Sequence, residues 1–285
     1  MAIQTRNESA ITVTSLCPAL GAEVLGVDLS QPLGDDQFAA IHQAFLDHQV
    51  LLFRGQDLEP AAQIAFTRRF GRVDPHPLNT RKGLTEFPEL LVLENRSGIR
   101  SARNNFWHSD ISFAEEPPLG SVLHALEIPG GGKGDTLFCN MYRAYEELSP
   151  GMRRLLDGMT AIHDAQEIRK RNNTEDNDGN PIPEIPSPVE HPVARTHPET
   201  GRKALYINRY FTRRFAEMTE AESRPLMDML IDNAIRHENI YRHRWRAGDV
   251  LMWDNRCVMH YAIFDYGPND IRHMHRTTAA GDRPR

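Results

Sequence analysis

Trp107-His108-Ser109-Asp110 sets an imidazole and a carboxylate two residues apart in the middle of the chain. Phe106, Trp107, Ile111 and Phe113 around it favour a pleated, half-buried surface, so residues 106–113 are expected to form a strand. Side chains at i and i+2 of a strand project to one side, which would aim His108 and Asp110 at a common point. Such a pair is half of a metal site. A second histidine would complete the two-histidine, one-carboxylate face that suits non-haem Fe(II) chemistry and leaves other coordination positions open.

Another match to the same spacing, His197-Pro198-Glu199, competes with the first. Pro198 and Gly201 argue for a turn there, whose side chains need not converge. The tail of the chain supplies the missing histidine. In Trp253-Asp254-Asn255-Arg256-Cys257-Val258-Met259-His260, a turn-forming Asp-Asn pair precedes a late strand carrying His260. Its other reading is a core histidine satisfied by its neighbours. Beyond it, Arg272-His273-Met274-His275-Arg276-Thr277-Thr278 alternates, with Arg272, Met274, Arg276 and Thr278 on one face and both histidines on the other. Two arginines on one strand face suit forked hydrogen bonds to a carboxylate or other oxyanion, or else ordinary surface salt bridges.

Composition narrows the function classes. At 285 residues, 40% hydrophobic and 25% charged, the chain can bury a substantial core. A net charge of −6 gives no basic surface for nucleic acid, and no run approaches the apolar length that crosses a bilayer. The first residues lack the apolar core of a signal peptide, so neither nucleic acid nor membrane is an expected partner and the expected location is cytoplasmic. Cys17, Cys139 and Cys257 are widely spaced, which fits buried thiols rather than a disulfide framework.

Helical spacing is expected over residues 35–48, where Phe38, Ile41 and Phe45 follow an Asp-rich start, and over 59–70, with Pro60 near the first turn. A third helix is expected over 219–236, with Leu226, Met229, Leu230 and Ala234 on one face, and residues 141–156 read as helix interrupted at Ser149-Pro150-Gly151. Short strands are expected at 22–29, 50–53, 90–93, 121–128, 135–139, 191–196, 203–208, 240–245, 249–253, 257–262 and 271–278. Many short strands with few helices suggest a β-sandwich or barrel.

The order of Trp107-His108-Ser109-Asp110, Gly134-Asp135-Thr136, the stretch 253–262 and the stretch 272–278 resembles the taurine and phenoxyacetate-herbicide (TauD/TfdA-type) dioxygenases, which depend on Fe(II) and 2-oxoglutarate. The likeness runs over residues 20–284. It implies a mainly β fold with peripheral helices (α+β), a double-stranded β-helix of the jelly-roll, cupin-like kind. One such domain would span residues 1–285, with a mobile insertion around 171–189. By position, the resemblance implies that His108, Asp110 and His260 bind iron, and that Thr136 and Arg272 hold the distal carboxylate of 2-oxoglutarate. Arg276 would lie between cosubstrate and substrate. The implied reaction consumes O2 and 2-oxoglutarate, releases succinate and CO2, and hydroxylates a substrate carbon.

For the substrate, the resemblance places His76, Asn104 and Arg276 at contact positions of the taurine-oxidising members, while Asn79 stands where those have tyrosine. A small anionic organic substrate is expected, a sulfonate or sulfate ester before a carboxylate such as an aryloxyalkanoate. Family members are often dimers or tetramers, so a homo-oligomer is implied. Two readings of other classes stand beside this one: a zinc hydrolase, which would not need the paired arginines, and a metal-free β-helix acting as a binding module.

Overall fold

Along Val250-Leu251-Met252-Trp253 every side chain is buried, yet successive residues enter different cores. Val250 and Met252 pack with Ile41, Phe45, Leu51 and Phe53, while Leu251 and Trp253 pack with Leu52, Leu123, Phe138 and Met274. A strand covered on both faces reads as an unbroken apolar run, which is why this stretch and Val50-Leu51-Leu52-Phe53 lack alternation.

The computed structural model describes residues 11–75, 83–84, 86–95, 104–168 and 186–285. Eight strands form the large sheet: β1 (Thr12–Ser15), β2 (Ala22–Leu25), β3 (Val50–Phe53), β4 (Gly83–Leu84), β5 (Phe87–Asn95), β6 (Gly120–Glu127), β14 (Val250–Asp254) and β16 (Arg272–Ala279). Their order is β1-β2-β3-β14-β6-β16-β5-β4, antiparallel except for β2 beside β3. A smaller sheet has the order β13-β7-β15, from β7 (Thr136–Asn140), β13 (Ile240–His243) and β15 (Val258–Ala262). The turn Asn255-Arg256-Cys257 carries the chain from β14 in the large sheet to β15 in the small one. Helices α1 (Asp35–His48) and α2 (Pro60–Arg68) cover the outer face of the large sheet, and the main core lies between the two sheets. This is the jelly-roll arrangement expected from the resemblance, with helices outside.

The remaining strands, β8 (Thr160–His163), β9 (Val189–Pro192), β10 (Ala194–Thr196), β11 (Lys203–Leu205) and β12 (Thr212–Phe215), make a three-stranded sheet β12-β8-β9 and the pair β10-β11. Helices α3 (Met141–Glu146), α4 (Pro150–Leu156) and α5 (Glu220–Ala234) complete the chain. Helix α5 starts with a full capping box: Thr219 accepts from Glu222 N–H, and the Glu222 carboxylate accepts from Thr219 N–H. Among the described residues no helix is long and apolar enough to cross a membrane.

Two expectations need correction. Residues 106–113 are not a strand: His108 makes an isolated bridge and residues 110–113 form a turn, with Ile111 in the left-handed region at φ 51°. Met229 of α5 is 44% exposed, and Met227 and Ile231 point inward beside Leu230 and Ala234. Of the stretch 171–189, residues 171–185 lie outside the described residues, and Val189 opens β9 and pairs with His163.

Candidate active site

His108 and His260 meet through their backbones. His108 N–H donates to His260 O (3.1 Å) and His260 N–H donates to His108 O (2.8 Å), which sets the imidazole centroids 4.2 Å apart. Asp110 Oδ1 lies 3.7 Å from Nε2 of each histidine. Those gaps are too long for hydrogen bonds. They are short enough for the three donor atoms to converge on one cation. All three side chains are buried, and their donor atoms lie within 4.8 Å of one another.

Asp110 is placed by side-chain clamps rather than by strand geometry. Its N–H donates to Asn255 Oδ1 (2.6 Å), and Asn255 Nδ2 donates to Asp110 O (2.9 Å) and Pro118 O (3.1 Å). Asn255 thus supplies the ladder partner that a neighbouring strand would have given, at the β14–β15 turn. Ile111 then leaves the site at φ 51°, a conformation a β-branched residue adopts only when its surroundings impose it. Sequence reasoning took Asn255 only as a turn former; nothing in its local pattern marks it as a clamp for residues 145 positions away.

The electrostatics favour ligation. His108 Nδ1 faces Phe106 O (2.8 Å), which fixes the Nδ1–H tautomer and leaves the Nε2 lone pair toward Asp110. Burial lowers the pKa of His108, partly opposed by Asp110; burial and the neighbouring His108 ring push His260 down to about 3. Both imidazoles are therefore neutral near pH 7. Burial alone would raise Asp110, but the Arg276 guanidinium and the two imidazoles hold it well below the usual carboxylate range. Its oxygens are divided: Oδ1 faces the histidines, while Oδ2 accepts from Arg276 (2.6 Å) and from Ser121 Oγ (3.2 Å).

A pocket opens beside His260, lined by Asn104, Leu123, Thr136, Trp253, Tyr266, Arg272 and Arg276 among others. Arg272 and Arg276 both reach it from β16, as strand alternation predicts. Arg272 is buried, has no acidic partner within salt-bridge distance among the described residues, and its Nε lacks a hydrogen-bond partner. Desolvation lowers its pKa. Thr136, at the start of β7, accepts from Trp245 Nε1–H (3.0 Å), a supporting residue that sequence reasoning missed. Asn104 joins the pocket wall, and its carbonyl accepts from Ala262 N–H (3.1 Å). His76 and Asn79 lie outside the described residues.

His197 and Glu199 do not form a pair. His197 Nε2 is 3.0 Å from Asp254 Oδ2, while Glu199 accepts from Arg256 and faces His42. His197, Asp254 and Cys257 have metal-like spacing, yet both Asp254 oxygens bind the Arg256 guanidinium. That buried cation occupies the charge a metal would need.

Comparison with known proteins extends the geometry. The model of the family described as taurine catabolism dioxygenase TauD, TfdA family matches residues 12–278. An alpha-ketoglutarate-dependent sulfate ester dioxygenase of Pseudomonas putida is 37% identical over 273 residues, covering 93% of this chain and 88% of that protein. An alpha-ketoglutarate-dependent 2,4-dichlorophenoxyacetate dioxygenase of Cupriavidus pinatubonensis is 34% identical over 287 residues, covering 96% and 99%. The crystal structure of a putative alpha-ketoglutarate-dependent taurine dioxygenase from Burkholderia xenovorans superposes with a TM-score of 0.82 at 34% identity, covering 96% of this chain and 94% of that one.

Proposed function

Because the chain belongs to the taurine catabolism dioxygenase TauD, TfdA family, we propose that it hydroxylates a small anionic organic substrate, a sulfate ester or sulfonate before a carboxylate. The reaction class goes with the family: a non-haem, Fe(II)- and 2-oxoglutarate-dependent dioxygenase that consumes O2 and releases succinate and CO2. The observation that carries the site reading is a buried arginine without an acidic partner, Arg272, in the same pocket as His260 of a convergent His-Asp-His set. A buried cation in that state calls for an anion.

His108, Asp110 and His260 would hold Fe(II), with two neutral imidazoles and one carboxylate as donors. Bound there, ferrous iron supplies O2 activation coupled to oxidative decarboxylation of the oxo acid. Arg272 takes the distal carboxylate of 2-oxoglutarate with Thr136, whose hydroxyl hydrogen is free to donate because its oxygen already accepts from Trp245. Arg276 holds Asp110 Oδ2, which keeps Oδ1 toward the histidines, and presents a cation to substrate. Leu123 and Trp253 wall the pocket and keep water from the reacting groups. His76, Asn79 and Asn104 complete the substrate contacts. The reading extends to a cytoplasmic dimer or tetramer whose protomer is one domain over residues 1–285.

A carboxylate substrate is the second reading, favoured by the dichlorophenoxyacetate relative. A turnover panel separates the two. Sulfate esters and sulfonates should release succinate in step with hydroxylated product, with aryloxyacetates slower; aryloxyacetates leading the panel would reverse the order. Absence of succinate with every member would refute the activity.

A further inference from the structure

The segment between β15 and β16 lines the pocket together with Arg272. Phe264 and Tyr266 from this segment line the same pocket as Thr136 and Arg272. Tyr266 comes against Gly134, the glycine before Asp135-Thr136. A Cβ placed on Gly134 would lie 3.4 Å from Cδ1 and Cε1 of Tyr266 and 3.4 Å from Arg272 Nε, and its φ of +74° further favours glycine. The phenol ring and the guanidinium therefore pack against one spot of bare backbone.

This wall is fixed. Gly134 N–H donates to Asp265 Oδ1 (2.7 Å), Ile263 N–H to Asp135 O (2.9 Å), and Asn95 Nδ2 to Asp270 O (2.8 Å). Lys133 Nζ binds Asp270 Oδ2 (2.9 Å), which also accepts from Gly267 N–H (2.8 Å). The opposite boundary is equally fixed, since His260 stands on β15 and Arg272 on β16, in two different sheets. An anion spanning the two has a set length available, and the Tyr266 ring lines that pocket beside Arg272 Nε, both against the Gly134 backbone.

We propose that Tyr266 sets the chain length of the 2-oxo diacid this pocket accepts; the inference rests on the reading of Arg272 as the distal-carboxylate site. A five-carbon 2-oxo diacid meets Arg272 in place. A six-carbon one brings its terminal carboxylate one methylene further, against the ring of Tyr266. Discrimination of one methylene by a pocket wall is worth roughly 10- to 200-fold in affinity. The ring, rather than the hydroxyl, exerts it.

Anaerobic calorimetric titration of the Fe(II)-loaded protein with 2-oxoglutarate and 2-oxoadipate tests this. The native protein should favour 2-oxoglutarate, Tyr266→Ala should shrink the preference by about tenfold or more, and Tyr266→Phe should keep it within about twofold. Tyr266→Leu, with less side chain than the ring, reports the same ratio should the alanine variant fail to fold. An unchanged ratio in folded Ala or Leu variants, with native binding of 2-oxoglutarate intact, overturns the role of Tyr266 alone. A native protein that binds neither acid overturns the cosubstrate reading and this inference with it.

Discussion

At the scale of single residues, Asp110 is held from three sides. Asn255 grips its backbone, Arg276 and Ser121 take one carboxylate oxygen, and the other faces two neutral imidazoles. Groups that orient metal ligands typically govern 10- to 100-fold in affinity. Asn255→Ala should therefore weaken Mn(II) binding by about that factor, read by calorimetry on folded protein; an unaltered affinity would show that the clamp does not position Asp110. Arg272→Leu acts on another step. It should raise the 2-oxoglutarate requirement by about 10- to 100-fold, the worth of charged hydrogen bonds, and leave Mn(II) affinity in place. Loss of metal affinity instead would assign Arg272 to the metal centre.

At the scale of elements, the β14–β15 turn joins the two sheets and encloses a buried ion cluster. Burial would raise the Asp254 carboxyl, but the Arg256 guanidinium, with His197 beside it, keeps it well below its ordinary value of 3.8. A depressed folded-state pKa contributes stability that is present above the unfolded value and fades as pH falls. Asp254→Asn should thus lose about 3–5 kcal/mol near pH 7, the cost of stranding a buried partner. The gap to the native protein should narrow as denaturant melts are taken down toward pH 4 and below. A gap that is constant with pH would remove the charge of Asp254 from the account.

The same scale shows what was legible. Residues 35–48 and 50–53 fold where their patterns put them, because helical spacing, an acidic first turn and an all-apolar run are local signals. The grouping of His108, Asp110 and His260 was legible for a different reason, as motif order over the whole chain. Residues 106–113 were not: their aromatics suggest a strand, but a bridge to β15 and the Asn255 clamp decide the backbone from distant sequence. His108 and Asp110 converge as predicted, by a route strand parity does not describe. Thr12–Ser15 also escaped, since every one of its residues is exposed and leaves no apolar alternation to read.

At the scale of the whole molecule, two sheets and the loop around residues 104–113 each contribute one part of the proposed centre, so ligand binding there would tie them together. Binding confined to the folded state stabilises it by about 2.7 kcal/mol at a hundredfold excess over Kd. Mn(II) should accordingly raise the melting temperature, and chelation should reverse the gain; equal melting with and without metal would mean the three groups do not share an ion. The most direct measurement is the visible absorption of anaerobic protein given Fe(II) and 2-oxoglutarate. A weak charge-transfer band should develop in the native protein and be absent from folded His108→Ala. A native protein without the band, or a His108→Ala variant that keeps it, would contradict the assignment of His108, Asp110 and His260 as the iron site.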